Sequence, residues 1–272
     1  MAKIDKNGKE WKVIAFTPAG RKLHLEILKT YIDKCKILDG WQLWFNVDDQ
    51  NDINYINSLE NDFIQIKRLS DVDKRDNYNI YKFYQFLNNE DTIYVRLDDD
   101  IVFIEDGAIE KLVECRLDNQ EPFVVFANIV NNAVVANIHQ RIGALTKDYG
   151  LVTRNRFDHL TLYEIPFYTE IHNNFINKYE NGKLNEYYFE NELLTNNQGF
   201  SINCFAMFGK DSKFVNSPDE ELEISMFQPN KLNRKNLVCG NALVSHYAFG
   251  YQRCQLNENP KIINFYKNIC QK

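Results

Sequence analysis

Over the first 130 residues, short apolar runs alternate with stretches whose apolar residues recur at helical spacing. Trp11 to Phe16 is one such run and stops at Thr17, Pro18, Ala19, Gly20 and Arg21, after which Leu23, Ile27, Leu28, Tyr31 and Ile32 mark one face of a helix. Trp41 to Asn46 and Phe63 to Lys67 read as two further strands. An aromatic-rich helical stretch, Asn79 to Leu87, leads into a fourth strand, Thr92 to Leu97. Ile101 to Ile104 comes next, then a helix capped by Asp106 with Ile109, Leu112 and Val113 on one face, then a strand from Pro122 to Val130. Short strands separated by helices pair most readily in parallel through right-handed crossovers. The pattern therefore predicts an α/β fold, a three-layer α/β/α sandwich around a mixed, mainly parallel sheet.

From about 138 to 200 the periodicity gives way to polar and aromatic stretches, among them Tyr163 to Tyr168 and Tyr187 to Phe189, which reads as an insertion over the sheet. Strand signal returns at Phe200 to Phe208 and at Leu237 to His246. Neither an internal repeat nor a linker interrupts the chain, so residues 1–272 read as a single domain ending in a helical tail over 251–272.

Composition narrows the function classes. A net charge of −6 argues against a protein that coats nucleic acid or an anionic membrane. The longest apolar runs fall short of the ~18 to 20 residues of a membrane helix, so no integral membrane segment is expected. Six scattered cysteines without a C-x-x-C pair read as thiols rather than a disulfide framework or zinc site, and with the absence of N-x-Ser/Thr acceptors they lean toward a cytoplasmic setting. Aromatic residues make up 14% of the chain, which fits either a surface that stacks on flat ligands or a compositional bias that raises Asn, Ile, Lys, Tyr and Phe together.

The sharpest chemical feature is Asp98, Asp99 and Asp100 directly after an apolar strand, within Arg96 to Ile101. Carboxyl ends of strands line the ligand crevice of an α/β sheet, and three adjacent carboxylates repel one another unless they share a cation. In extended backbone Asp98 and Asp100 would face one side and Asp99 the other, giving two hard oxygen ligands for Mn²⁺ or Mg²⁺. The bland alternative is a solvated acidic loop. A second acidic cluster, Asp219, Glu220 and Glu221, follows Ser217 and Pro218 at the head of an apolar helical segment, where acidic side chains also suit a helix N-terminus.

An N-terminal strand, loop and helix, a second strand ending in Asp48 and Asp49, a helix leading into Arg-Leu-Asp-Asp-Asp, and a late strand ending in His246 together resemble the GT-A nucleotide-sugar glycosyltransferases, whose metal site is an Asp-x-Asp motif. The resemblance covers about residues 11–130 and 200–250. It implies a nucleotide-sugar-binding part at about 11–130 and an acceptor-binding part at about 131–250. By the same resemblance Asp98 lies near the ribose, Asp98 and Asp100 with His246 hold the metal, and Thr17, Pro18 and Arg21 belong to the nucleotide loop. Asp48, Lys82 and Asp99 are further substrate contacts, and Asn203 with residues about 139–200 meets the acceptor, Tyr168, Tyr187 and Tyr188 being candidate stacking rings.

The resemblance further implies transfer of a sugar, with UDP as the implied carrier, to a hydroxyl of a glycan or glycoconjugate. An inverting displacement needs a carboxylate base, and Glu220 is favoured over Asp219 and Glu221. Two other readings stay open on the residues: a sugar-phosphate nucleotidyltransferase, which expects a Gly-rich first loop, and a metal-dependent carbohydrate-binding module, which expects an all-β pattern. A two-metal phosphohydrolase would need more His and Asp ligands than five His readily supply.

Overall fold

The computed structural model describes residues 3–69, 77–195 and 198–272. Its centre is one sheet of nine strands: β1 (Lys12–Ala19), β2 (Gly40–Phe45), β3 (Ile64–Lys67), β4 (Thr92–Leu97), β5 (Ile101–Ile104), β6 (Val125–Val130), β7 (Glu192–Leu193), β8 (Cys204–Phe208) and β9 (Leu237–His246). They pair in the order β3-β2-β1-β4-β8-β6-β9-β5, with β7 on the other part of β9. β1, β2, β3, β4, β6 and β9 share one direction and β5, β7 and β8 oppose it, so the sheet is mixed and mainly parallel as the alternation requires.

Helices cover both faces. Phe16 is in register with Arg96, and the face they share carries the 3₁₀ segment Asn77–Phe86, whose Tyr84 meets Phe16 edge-on at 5.6 Å while Phe83 stacks on Trp44 at 4.8 Å. By right-handed crossover, helices α1 (Lys22–Ile32) and α2 (Gln50–Ser58) cover the opposite face. α1 reaches across to β5, where Tyr31 meets Phe103 at 5.8 Å. Helix α3 (Ala108–Asp118) packs on β6, β8 and β9. Its N-cap is Gly107, at φ +75°, rather than Asp106, because the left-handed turn there uses backbone freedom instead of a side-chain cap.

The stretch from about 138 to 200 is more helical than its sequence pattern indicates. It contains α4 (Ala133–Arg141), α5 (His159–Tyr163) and the 16-residue α6 (Ile165–Glu180), although 196 and 197 lie outside the described residues. After β8 come α7 (Gly209–Ser212), α8 (Glu220–Leu222), a π-helical turn Glu223–Phe227 and α9 (Gln228–Lys231). Beyond β9 the chain forms α10 (Gly250–Asn257) and α11 (Pro260–Ile269).

Two local devices shape the cleft. Pro18 sits inside β1, a central strand, yet β4 pairs with β1 only as far as Phe16, so its missing N–H interrupts nothing on that side and the two strands part at their ends. The second device is the link from β4 to β5. Asp98, Asp99 and Asp100 alone join these strands, although β8, β6 and β9 lie between them in sheet order. Four strand spacings in a flat sheet span about 19 Å, whereas four residues reach about 13 Å at most. The sheet must therefore curl, and the three aspartates lie in the seam.

Candidate active site

At this seam opens a cleft of ≈ 430 Å³. Asp98, Asp99 and Asp100 form its floor as a turn closed by the Ile101 N–H to the Asp98 carbonyl, 3.1 Å, so they do not alternate as an extended segment would. Each carboxylate goes its own way.

Asp99 turns back to the first loop, accepting from the Gly20 N–H at 2.9 Å and from Arg21 Nε at 3.0 Å. Gly20 is required there because a Cβ would come within 2.5 Å of the Asn46 carbonyl oxygen. Asp99 thus fills the gap left where β1 and β4 part and orients Arg21.

Asp100 is almost wholly buried, with two guanidiniums and an imidazole around it. Arg253 Nη2 donates to Oδ2 at 3.0 Å, Arg21 Nη2 stands 3.3 Å from the same oxygen, and His246 Nε2 faces Oδ1 at 3.3 Å. Burial alone would raise its pKa, but Arg21 first and then His246 outweigh that and hold the carboxyl well below 3.8. Beneath this group His24 is buried on α1 with neither ring nitrogen hydrogen-bonded, and burial pushes its pKa down to about 4 against the pull of Asp100.

Asp98 belongs to a different set. Its Oδ1 accepts from Arg96 Nε at 3.0 Å and its Oδ2 from Asn203 Nδ2 at 3.0 Å, while its N–H donates to the Asn203 carbonyl at 2.9 Å. Arg96 Nη1 then donates to the Tyr84 hydroxyl at 2.7 Å and pairs with Glu220 Oε2 at 2.8 Å. One guanidinium thus serves two carboxylates. Burial pushes Glu220 above 4.5, with Asp98 adding to the rise and Arg96 opposing it; Asp98 is raised as well, by burial and then by Asp100, against Arg96.

The other two acidic candidates also line the cleft, in different roles. Asp219 caps α8, its Oδ1 accepting from the Leu222 N–H at 3.1 Å. Glu221 pairs with Arg156, which precedes α5. Glu220 is the member of the three that turns inward to Arg96 and Tyr84. The π-helical turn that follows directly is a rare form, frequent at functional sites.

Several sequence-predicted positions fall elsewhere. Thr17 lies within β1, which continues to Ala19, and is fully buried with its hydroxyl accepting from Trp41 Nε1 at 2.9 Å; its neighbour Pro18 does line the cleft. Asp48 and Lys82 do not line it, and Asn46 and Ile80 stand there instead. Of the proposed stacking rings, Tyr168 and Tyr187 are core residues. Tyr188 is half-buried and donates its hydroxyl to Glu105 at 2.6 Å. The helical phase of α6 and the packing of 187–189 under β9 turn these rings inward.

The sequence reading passed over Arg253, Arg156, Tyr84 and Asn131. Arg96 carried a signal, being a charged residue in an apolar strand. Arg253 carried none, lying 153 residues from Asp100 in a helical tail. Asn131 adopts φ +64° at the end of β6, and its carbonyl lies 3.3 Å from His246 Nδ1 while its side chain donates to the Tyr247 carbonyl at 3.0 Å.

At one corner Asp100 and His246 offer two donors of the kind a divalent cation takes. Asp100 Oδ1 is buried without a hydrogen-bond partner, and His246 Nε2 approaches it to 3.3 Å without hydrogen-bond alignment. When Nδ1–H donates to the Asn131 carbonyl, Nε2 presents a lone pair to Asp100, the arrangement metal-binding histidines use. Asp98, expected as a third ligand, is turned toward Arg96 and Asn203. Among the described residues no group of three or more His, Cys, Asp and Glu side chains is gathered to hold a metal. Nor is any helix among them long and apolar enough to cross a membrane.

No family model matches the chain, and no curated protein is similar to it. Among solved structures, it is similar to a CMP:2-keto-3-deoxy-manno-octonic acid synthetase in complex with CTP, at 8% identity and TM-score 0.48 over 93% of this chain and 98% of that one. A glucosyl-3-phosphoglycerate synthase from Mycobacterium tuberculosis, in complex with Mn²⁺, UDP and glucosyl-3-phosphoglycerate, matches at 15% identity and TM-score 0.35 over 66% and 69% of the two chains. A 4-diphosphocytidyl-2C-methyl-D-erythritol synthase from Anaerococcus prevotii matches at 16% identity and TM-score 0.33, over 44% of this chain and only 55% of its own length. At such scores these likenesses assign neither activity nor substrate.

Proposed function

We propose that the cleft binds a nucleoside diphosphate sugar, with UDP the favoured carrier, and transfers the sugar to a hydroxyl of a glycan or glycoconjugate with inversion. The observation that carries this reading is that one cleft holds an ionised Asp100, flanked by the Arg21 and Arg253 guanidiniums, beside a buried Glu220 whose pKa is raised. The first suits a departing diphosphate and the second suits taking the proton of an acceptor hydroxyl.

Arg21 and Arg253, already aimed into the cleft, take part of the charge that develops on the diphosphate as its bond to the anomeric carbon breaks. Mn²⁺ or Mg²⁺ at His246 and Asp100 would supply further positive charge to the same oxygens. The acceptor oxygen attacks the opposite face of the anomeric carbon, its proton passes to Glu220, and the electron pair of the broken bond leaves on the phosphate. Arg96 and Tyr84 hold Glu220 in place. Asn203 and Asp98 together form the wall between donor and acceptor.

The test is release of free nucleotide from a panel of nucleotide sugars in the presence of Mn²⁺. Asp100→Ala should lower that release about a thousandfold. Undiminished release from the variant overturns the reading, as does formation of pyrophosphate from a nucleoside triphosphate and a sugar phosphate, which marks a nucleotidyltransferase. The α/β sheet gives no support to an all-β carbohydrate-binding module.

A further inference from the structure

Two chains of side chains leave the cleft and arrive at one patch of exposed rings. From the Asp100 wall, Gly250 leads to Tyr251, 69% exposed, whose ring lies 5.0 Å from Tyr163, itself 5.3 Å from the His159 ring. From the acidic wall, Glu221 pairs with Arg156, and the Arg156 guanidinium lies 4.2 Å above the ring of Phe157, 65% exposed. Phe157, His159 and Glu164 then line a second cavity of ≈ 470 Å³ together with Tyr149 and Leu151. Seven of the twelve large hydrophobic side chains exposed among the described residues lie between Ile142 and Ile165 or at Tyr251. Single exposed apolar residues are ordinary, but a group of this kind marks a surface that something covers.

We infer that this surface is a binding site for an oligosaccharide, the chain of the acceptor whose terminal hydroxyl enters the cleft. Sugar rings present apolar C–H faces and hydroxyl edges. The patch offers both complements: exposed aromatic faces, and polar groups at their margins in the tyrosine hydroxyls and the His159–Glu164 pair, 3.5 Å apart. A lipid chain would strip water from those polar groups and offer them no hydrogen bond in return, which is costly. Both ends of this surface adjoin the cleft walls, at Gly250 and at the Glu221–Arg156 pair, so an oligosaccharide bound on it lies beside the cleft that holds Glu220. The function assigned to the surface rests on the transferase reading, whereas its affinity for sugar does not.

The test uses the whole chain and an array of neutral oligosaccharides as probe, read beside donor hydrolysis without acceptor. Tyr251→Ala and Phe157→Ala should each weaken oligosaccharide binding about tenfold, in the range of one aromatic stacking contact. Donor hydrolysis should stay within about twofold, and Tyr251→Phe should retain most of the binding. The inference is overturned if no oligosaccharide binds the wild type, if the alanine variants bind as well as wild type, or if they abolish vesicle binding or self-association instead. Should no nucleotide sugar turn over while the variants still lose oligosaccharide binding, the transferase reading fails and the sugar site stands.

Discussion

The two walls of the cleft balance charge in opposite ways. Asp100 has Arg21, Arg253 and His246 around it, and it stays ionised despite near-complete burial. Asp98 and Glu220 share one guanidinium, Arg96, and burial raises both above their ordinary values. A buried carboxylate with surplus cations can give up one of them to a diphosphate or metal and remain satisfied. One of a pair that shares a single cation has a real tendency to take a proton. Carboxylates two residues apart in sequence are thereby suited to different tasks, and proximity in the chain says nothing about which.

The contrast breaks most severely at Arg96. Arg96→Met leaves Asp98 and Glu220 buried without their counter-charge and should cost about 3–5 kcal/mol in urea unfolding. Adding Glu220→Gln to that variant should recover part of the loss. If the double variant is no better than the single one, the two carboxylates do not depend on a shared cation.

Glu220→Gln alone should reduce transfer about a hundredfold while leaving nucleotide affinity unchanged, as measured by titration with the free nucleotide. The pH dependence sharpens this. Because the folded pKa of Glu220 lies above its ordinary 4.5, the folded state binds its proton more readily than the unfolded state does. Its ionised form is therefore a stability penalty at neutral pH, relieved as pH falls through the folded pKa toward 4.5. Transfer moves the opposite way, since the proton-accepting form is lost over the same window. The acid limb of the transfer profile should lie above 4.5 and the stability gain should vanish in Glu220→Gln. An acid limb unchanged by that substitution assigns the base elsewhere.

The smallest effect is expected at the cation-rich wall. Arg253→Gln removes one of the two guanidiniums beside Asp100 and leaves Arg21 in place, so it should cost only about 1–2 kcal/mol of stability, well below the Arg96 variant. A loss equal to that of Arg96→Met would erase the distinction between the walls.

Which parts were legible beforehand follows from the range of the signals. Strand and helix periodicity are local, so the parallel half from β1 to β4 was readable, and with it the position of Asp98 to Asp100 at a strand end. Local pattern also located the acidic cluster at 219–221. It did not say that Asp219 would cap a helix, Glu221 meet Arg156, and Glu220 turn inward. Tyr168 and Tyr163 look alike in sequence, yet α5 and α6 present one to the core and the other to the surface.

By itself the sequence determined the layer architecture and the run of carboxylates, because both are properties of neighbours along the chain. Only the tertiary structure decided the partners of each carboxylate. The curl of the sheet that lets three residues bridge β4 and β5 brings His246 and Arg253 onto Asp100 from more than 140 residues away, and burial in that seam makes their charges count. Electrostatic fate in a protein depends on distance through space and on exclusion of water, neither of which one-dimensional spacing carries.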